Sequence, residues 1–479
     1  QSQSQSQLPN DDYKNNHNHD NASVDSTSTS TSNSNSTKVL YIVTALAEYN
    51  NGLRFTERGS DRFRETLIPI VVDSITSMIS PPYDYEVDLY LILGFTLQKE
   101  RLVLIQKALP EGVGLQVWDD AMPLGYNTPN KDTKIQEVTR ALARQHRYVI
   151  KDKLMHYDLF LAFEDDMRIS GAQIHHYIHM SQQLQLLNTQ APDTLPNHLV
   201  PETQDGLTQR YHGPMTKAQT SRLIPGFIRV EVYNNGIPNF NSNRQPDPIS
   251  SNHMQHEQHI DPKPCCHIMN VTAQQSNRNI PIQPNKDQIV IWETGILGAV
   301  IRQLPQYSKT ANQSNFNWIL LQPGPKNVPK DKFIGGYWSG RQGDFGDEPK
   351  PTPGMPQLIA QQGGWMATRQ QLIHIEEEQC GHRFFPPFED QMHQNGLTLN
   401  NVEFWSGGYQ LYSGVRAGCN MQRVISLHPD HFSNHLLYHT ANNKQQQKAG
   451  WLVKADHFFG QLNTIVNMAQ QDMHKQHDH

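Results

Sequence analysis

An unbroken apolar run that stops on three acids constrains this chain more than any other feature. The run Leu159–Phe163 (LFLAF) is followed directly by Glu164, Asp165 and Asp166. A short continuous apolar run is typical of a strand that is buried on both faces. Acids on a solvated strand face would alternate with apolar residues, whereas these three stand together at the strand's carboxyl end. In open α/β sheets, ligands bind at that end.

The three carboxylates predict a bound cation. Adjacent carboxylates in a confined place repel each other unless a cation or a shared proton offsets their charge. Oxygen ligands favour a hard ion such as Mg²⁺ or Mn²⁺, which commonly bridges to substrate phosphates. We therefore predict that Glu164, Asp165 and Asp166 hold Mn²⁺ or Mg²⁺. An acidic turn that binds no ion is the simpler alternative.

The segments before these acids alternate between strand and helix patterns. Strands are predicted at 38–46, 85–95 and 113–118, and helices at 67–79, 100–108 and 134–154. This alternation predicts an α/β fold with a mostly parallel central sheet and helices on both faces. The first strand runs into Ala45-Leu46-Ala47-Glu48 instead of a G-x-G-x-x-G turn, which argues against a dinucleotide-binding dehydrogenase.

At these residues the chain resembles glycosyltransferases of the GT-A fold. Their DxD motif follows a hydrophobic strand and holds a divalent ion against the diphosphate of a nucleotide sugar. Glu164-Asp165-Asp166 is an acid-x-Asp variant of that motif. The resemblance implies a Rossmann-like domain that binds a UDP- or GDP-sugar. It also implies donor contacts near the ends of the first and third strands, where the candidates are Thr44, Glu48 and Asp119.

A basic helix is predicted before the acidic strand. It carries four cationic side chains on one face: Arg140, Arg144, Arg147 and Lys151. A diphosphate needs cationic partners, so we predict that Arg144 and Arg147 contact the donor. A solvated basic face is the alternative.

A second constellation lies about 200 residues further on. Gly363-Gly364 allows backbone or ligand to approach closely, and Trp365 leads into a predicted helix that ends at residue 375. The resemblance implies that Gly363, Gly364 and Trp365 form the acceptor side. Glu389-Asp390 follows an aromatic and proline-rich segment, and the resemblance assigns Asp390 as the catalytic base and Glu389 as its neighbour in the site. An acidic first turn of a helix would need no such role.

Histidines cluster late in the chain, at His428, His431, His435 and His439. GT-A enzymes often return a late histidine to the metal, and we predict His435 in that role. His435 and His439 would share one face if this segment were helical.

Composition divides the chain into four parts. Residues 1–37 have almost no apolar content and are predicted to be a disordered stem or tail. Residues 38–180 form the predicted nucleotide-sugar-binding half. Residues 181–460 form the acceptor-binding and catalytic half, with a disordered insertion around 234–286. Residues 461–479 are a polar tail.

Charge and cysteine usage bound the partners and the compartment. The net charge is −6 and no basic run carries interleaved aromatics, so a nucleic-acid partner is not expected. Cys380 and Cys419 flank the second constellation and are predicted to pair. Together with four glycosylation sequons, this pairing favours the secretory pathway. Since the sequence begins with Gln, we expect a Golgi-lumenal, type II membrane protein whose N-terminal anchor is missing.

The sequence therefore predicts a metal-dependent, hexosyltransferase-like glycosyltransferase. It would move a sugar from a nucleoside-diphosphate donor to a glycan or glycoprotein hydroxyl, with inversion if Asp390 deprotonates that hydroxyl. Three alternatives stay open: a nucleotidyltransferase-type phosphate enzyme, a secreted carbohydrate-binding protein that uses its acids for Ca²⁺, and a glycoside hydrolase.

Overall fold

The computed structural model describes less than half of the chain. The described residues are 36–46, 61–122, 140–194, 202–204, 209–211, 215–232, 289–291, 300–303, 318–321, 363–386, 406, 410–412, 419, 421–426, 429–439 and 453–454. All of them belong to the unit Ser36–His479. Most of the predicted stem, the insertion around 234–286 and the tail 461–479 lie outside them. The predicted division at residue 180 stays a prediction.

The elements follow one another as strands and short helices. The strands are β1 (Lys38–Ala45), β2 (Glu86–Leu93), β3 (Gly114–Trp118), β4 (Leu159–Glu164), β5 (Met167–Arg168), β6 (Glu202–Gln204), β7 (Gln209–Tyr211), β8 (Leu223–Pro225), β9 (Ile228–Val232), β10 (Ile289–Ile291), β11 (Val300–Gln303), β12 (Trp318–Leu321), β13 (Gly364–Thr368), β14 (Gln422–Ser426), β15 (Leu436–His439) and β16 (Val453–Lys454). The α-helices are α1 (Ile68–Ile79), α2 (Lys99–Ala108), α3 (Gln145–Lys153), α4 (Gly171–Gln190), α5 (Lys217–Thr220), α6 (Arg369–His374), α7 (Gln410–Tyr412) and α8 (Pro429–Phe432). Single turns of 3₁₀ or π geometry cover Phe63–Leu67, Arg140–Arg144, Ile375–Gln379 and Ser433–His435.

The central sheet has the strand order β13-β4-β1-β2-β3. β4, β1, β2 and β3 are parallel, and β13 is antiparallel to β4. The chain runs outward from β1 through β2 to β3 and then returns to the other side of β1 as β4. The predicted α/β fold with a mostly parallel sheet is confirmed, and the strand order reverses between β1 and β4.

Burial explains why these segments are strands. Val39–Val43 on β1 and Leu159–Phe163 on β4 are buried without interruption, so side chains on both faces of these strands are covered. Strands covered on both faces read as continuous apolar runs, whereas half-exposed strands alternate. α3 packs against β1, and α1 packs against β2 and α4. The core therefore lies on the strands that carry the acidic motif.

Two predicted helices differ from the observed ones. The helix predicted at 134–154 is observed as the turn Arg140–Arg144 followed by α3, with 134–139 outside the described residues. Trp365 and Met366 do not begin a helix but lie in β13. α6 begins only at Arg369, where the Thr368 side chain accepts a hydrogen bond from the backbone N–H of Gln371 in a capping box. The predicted helix therefore exists but starts four residues later.

Two smaller sheets complete the described fold. One has the order β16-β10-β9-β15-β5, and the other β6-β7-β11-β12-β14-β8. β5 begins directly after Asp166 and pairs antiparallel with β15, with Met167 opposite His439. The predicted disulfide between Cys380 and Cys419 is present. None of the described helices is long and apolar enough to cross a membrane.

Candidate metal centre

The carboxyl ends of β1 and β4 meet where the strand order reverses. Thr44 lies opposite Glu164 in the parallel register of β1 and β4, and Asp119 follows β3 at the same edge. This edge is the ligand-binding position of open α/β sheets. Asp119 accepts a hydrogen bond from the backbone N–H of Leu97 at 2.9 Å, which ties the loop after β2 to the end of β3. Thr44 thus lies beside the acids, whereas Asp119 follows β3, which is separated from β4 by two strands.

Glu164, Asp166 and His439 converge into one group. One possible ligand atom from each lies within 4.8 Å of the others, and His439 Nε2 is 3.2 Å from Asp166 Oδ2. The antiparallel pairing of β5 with β15 brings His439 there, because its partner Met167 follows Asp166 directly. Octahedral ligands at about 2.1 Å from an ion lie roughly 3 Å apart when adjacent and about 4.2 Å apart when opposite. The 3.2 Å between Asp166 and His439 therefore fits two adjacent ligands of a small divalent cation.

Asp165 points to a different partner. It accepts two hydrogen bonds from Arg62, from Nε at 3.1 Å and from Nη2 at 2.8 Å. The same Nη2 donates to Asp166 Oδ2 at 2.9 Å. Arg62, Asp165 and Asp166 are all buried, so the guanidinium supplies the opposite charge that buried acids require. Sequence analysis predicted Asp165 as a metal ligand; in the structure, its two oxygens contact Arg62.

The position of Arg62 is fixed by its neighbours in the chain. Asp61 forms an ion pair with Arg101 at 3.2 Å, and the fully buried Phe63 lies under the Arg101 guanidinium at 5.3 Å. Burial opposes the charge of Arg62, but attraction to Asp165 and Asp166 outweighs burial and raises the pKa of Arg62 above its usual value. Arg62 is therefore a permanent cation at the end of β4.

His435 lies outside the group that the structure assembles. Its Nδ1 is 2.7 Å from the carbonyl oxygen of Gly226, and its Nε2 accepts from the backbone N–H of Ser426 at 3.1 Å. His435 ends a 3₁₀ turn and His439 ends the strand that follows it, so the two histidines do not share a helical face. The structure brings His439 to the acids in place of the predicted His435.

His176 and His435 form a buried histidine pair with defined proton positions. Because the Gly226 carbonyl can only accept, His435 Nδ1 carries its proton and Nε2 is the acceptor in the neutral ring. His176 Nε2 lies 2.9 Å from that acceptor and therefore donates to it. Burial lowers the pKa of His435 to about 4, and burial together with the neighbouring His435 and His431 lowers the pKa of His176 further. Both rings are neutral in the folded protein.

This pair predicts a fall in stability on mild acidification. Unfolded histidines bind protons below about pH 6.5, while these rings stay neutral when folded. The free energy of unfolding is therefore unaffected by the two rings above that pH and falls as the pH drops below it. Between about pH 6.5 and 5, each ring should lower the free energy of unfolding by roughly 2 kcal/mol. Urea unfolding across this range measures the slope. His176→Gln should reduce it by about 1.4 kcal/mol per pH unit, and an unchanged slope in this variant would contradict the assignment.

Gly363 and Gly364 allow β13 to approach β4 closely. The carbonyl oxygen of Gly363 accepts from the backbone N–H of Glu164 at 2.8 Å. Gly363 has φ +74°, and a Cβ there would come within 2.6 Å of Met167 Sδ. A Cβ on Gly364 would come within 2.3 Å of the Ala162 carbonyl oxygen. The glycines thus let β13 pair closely with the strand end that carries Glu164, and their predicted place on the acceptor side stays a prediction.

Trp365 and Arg147 are both buried in the core, and both contact the ring of Phe384. Trp365 is buried with its ring against His146 and Phe384, at centroid distances of 5.5 and 5.7 Å. Arg147 is fully buried, with its guanidinium 4.0 Å from the Phe384 ring centroid. It donates to the carbonyl oxygens of Phe384 and Ser406 at 3.0 and 3.1 Å. Arg147 therefore binds protein carbonyls where sequence analysis predicted a diphosphate, and Trp365 packs inside where it predicted an acceptor.

The remaining predicted residues are placed only in part. Arg144 is buried at the start of α3. Glu48, Glu389 and Asp390 lie outside the described residues, so their roles stay predictions. Sequence reasoning missed Arg62 altogether and did not select His439. For Arg62 the sequence carried no distinguishing signal, because Arg58 and Arg64 lie on either side of it in the same polar segment.

Comparisons with known proteins assign no family. The chain matches no protein-family model and no curated protein. Among solved structures, it is similar to core-mannan synthase A from Aspergillus fumigatus in its manganese and GDP form, with 7% sequence identity and a TM-score of 0.16. The similarity covers 29% of this chain and 37% of that chain, so this chain spans little more than a third of that protein. A similarity of this size defines neither a family nor an activity.

Proposed function

We propose that this protein is a divalent-metal-dependent glycosyltransferase that uses a nucleoside-diphosphate sugar. One observation carries the proposal: Glu164, Asp166 and His439 converge at the point where the strand order of a parallel sheet reverses. That position is the ligand crevice of open α/β sheets. The acidic group belongs to the strand end itself, as in the GT-A enzymes that the sequence resembles. This placement favours a nucleotide-binding enzyme over a Ca²⁺-binding module, whose acids alternate along one loop.

The protein's own residues would hold the donor's metal and exclude water around it. Two carboxylates and one imidazole provide mixed oxygen and nitrogen ligands, which suit Mn²⁺ better than Ca²⁺. A divalent ion bound there supplies Lewis-acid stabilisation of a departing diphosphate. Asp166 and His439 are nearly inaccessible to solvent, so their interactions with charge are screened less than they would be at the surface. Asp390 remains the proposed base for the acceptor hydroxyl, with an inverting outcome.

The proposed activity is tested directly by donor consumption. The full chain is incubated with UDP- and GDP-sugars, Mn²⁺ and simple glycosides, and the released nucleoside diphosphate is quantified. We expect release from one donor class, dependent on Mn²⁺ and increased by an acceptor. Release of pyrophosphate in place of nucleoside diphosphate would favour the nucleotidyltransferase alternative. Hydrolysis of a glycoside without any nucleotide would favour the glycoside hydrolase.

The choice of metal should depend on His439. Imidazole nitrogen favours Mn²⁺ over Mg²⁺, whereas amide and carboxylate oxygens serve both ions. His439→Asn should therefore reduce the ratio of Mn²⁺ to Mg²⁺ affinity by about tenfold, equivalent to about 1.4 kcal/mol. Titration calorimetry with each ion measures the ratio. His431→Asn, which changes a nearby histidine outside the group, is the control, and an unchanged ratio in His439→Asn would exclude His439 as a ligand.

We further propose that the protein works in the lumen of the secretory pathway, in the Golgi. The disulfide between Cys380 and Cys419 supports an oxidising compartment, because cytosolic thiols are kept reduced. The acceptor is proposed to be a glycan or glycoprotein. Localisation of the tagged full-length protein by microscopy, with non-reducing mass spectrometry of the disulfide, tests the compartment. A cytosolic location with reduced Cys380 would reject it.

A further inference from the structure

We infer that Arg62 is a built-in counter-ion that occupies the metal centre in the metal-free protein and gives up one ligand oxygen when a divalent cation binds. The inference rests on the proposed metal centre and adds a mechanism of ion exchange to it. It concerns the step in which the cation binds, and it assigns different roles to two adjacent acids. Asp165 holds the arginine, and Asp166 passes from the arginine to the ion.

The first support is that one oxygen, Asp166 Oδ2, lies close to both Arg62 and His439. Asp166 Oδ2 accepts from Arg62 Nη2 at 2.9 Å and also lies 3.2 Å from His439 Nε2. A cation held between Asp166 and His439 would use this oxygen or its immediate surroundings. A guanidinium and a divalent cation repel each other at such a separation. We therefore expect metal entry to lengthen the Nη2 contact to Asp166.

The second support is that the arginine keeps another partner when it leaves Asp166. Its Nε and Nη2 contact both oxygens of Asp165 at 3.1 and 2.8 Å, a fork geometry that is stable by itself. The backbone on either side is fixed, because Asp61 is paired with Arg101 and Phe63 is fully buried. The exchange therefore needs only a small movement of the guanidinium, with no rearrangement of the chain.

The third support is the balance of charge. With all groups ionised, Glu164, Asp165 and Asp166 carry three negative charges, and Arg62 neutralises one of them. The remainder, about two negative charges, is what one divalent cation neutralises. Asp165 and Asp166 are 2% and 4% exposed, and buried acids without any partner would be strongly destabilising. Arg62 thus offsets part of the charge of these buried acids, and it competes with the ion for Asp166.

Arg62→Met tests the exchange through metal affinity, with no need for catalytic activity. The full-length native and variant proteins are titrated with MnCl₂ alone by calorimetry, and their melting temperatures are measured with and without Mn²⁺. We expect the metal-free variant to melt at a lower temperature and to bind Mn²⁺ at least about tenfold more tightly, because the competing cation is gone. Unchanged or weaker Mn²⁺ binding by a folded Arg62→Met variant would overturn the inference.

A double variant keeps the test decisive if Arg62→Met does not fold. Arg62→Met with Asp165→Asn removes both members of the ion pair, so it leaves neither charge buried without a partner. It retains Glu164, Asp166 and His439, and we expect it to bind Mn²⁺ more tightly than the native protein, because the competing cation is gone. Equal binding would mean that Arg62 does not compete with the ion, and weaker binding would mean that Asp165 is a ligand or that Arg62 is needed to position Asp166. Each of these results overturns the inference.

Two further measurements separate this inference from the proposal on which it rests. Arg369→Met removes an ion pair with Asp158 just before β4, at the opposite end of that strand. It should lower the melting temperature with and without Mn²⁺ equally and leave the Mn²⁺ affinity unchanged. If the native protein itself binds no Mn²⁺, the metal centre is refuted, and the exchange with it. If the native protein binds and Arg62→Met gains nothing, only the exchange fails.

Discussion

Asp166→Asn is expected to lose Mn²⁺-dependent donor turnover by on the order of 10³-fold, which corresponds to about 4 kcal/mol of transition-state stabilisation. Asparagine has the same size and can still accept a hydrogen bond from Arg62. However, it carries no charge, and Asp166 Oδ2 lies only 3.2 Å from His439 Nε2. The Mn²⁺-induced rise in melting temperature should disappear together with activity. Initial rates at saturating Mn²⁺ and calorimetric titration of the ion measure the two effects separately.

The matched control is Asp88→Asn. Asp88 is a partly buried carboxylate of the same sheet, but it accepts hydrogen bonds from Tyr157 Oη at 2.7 Å and from the Gly114 backbone N–H at 3.1 Å, away from the acidic group. The Asp88→Asn substitution should lower stability modestly and leave Mn²⁺ binding intact. If Asp166→Asn keeps native Mn²⁺ affinity and turnover, Glu164, Asp166 and His439 are not a metal centre.

Arg147→Met is expected to reduce the free energy of unfolding by about 3–5 kcal/mol. The guanidinium donates to Phe384, Ser406 and the side chain of Gln410, and all these contacts are buried. Methionine fills the space but leaves the acceptors without a donor, which costs about 1–3 kcal/mol for each buried group. Urea unfolding at neutral pH measures the change.

The cost of burying the Arg147 charge opposes this loss of stability, because Arg147→Met removes that cost. Burial lowers the pKa of Arg147 to about 9, partly offset by Glu376, which shows that the buried charge is itself costly. We expect the lost hydrogen bonds to dominate because three acceptors depend on one guanidinium. Lys151→Met, which removes a single contact to the Pro386 carbonyl oxygen at 2.6 Å, should cost no more than about 1 kcal/mol. An Arg147→Met protein as stable as the native one would show that desolvation cancels the hydrogen bonds.

The parallel sheet could be predicted from the sequence because its strands are buried on both faces. Val39–Val43 and Leu159–Phe163 are continuous apolar runs, and short runs of this kind between polar segments are typical of central strands in a parallel sheet. The position of Glu164, Asp165 and Asp166 at a strand end followed from the same pattern. β13 was predicted as the start of a helix instead, because Trp365 and Met366 suit either element and the Thr368 cap is visible only as a single residue.

The partners of the acids could not be predicted because they depend on long-range pairing. His439 reaches Asp166 through the pairing of β5 with β15, between segments about 270 residues apart, and a two-residue strand such as β5 leaves almost no periodic signal. His435 was the natural choice only if the segment were helical. Arg62 reaches across from the start of a different element, and nothing in its local sequence distinguishes it from a surface arginine. Arg147 was assigned to a basic face because α3 reads as amphipathic, while its actual partners come from segments more than 230 residues away.

The most direct test of the central claim is calorimetric binding of UDP and GDP to the full-length native protein, with and without Mn²⁺. A metal centre at the carboxyl end of β4 would join the protein to the donor's diphosphate. We predict that one of the two nucleotides binds in the presence of Mn²⁺ and loses at least about tenfold in affinity without it or in Asp166→Asn. Binding that is absent for both nucleotides, or that is equally strong without metal and in Asp166→Asn, would contradict a metal-dependent nucleotide-sugar site at Glu164, Asp166 and His439.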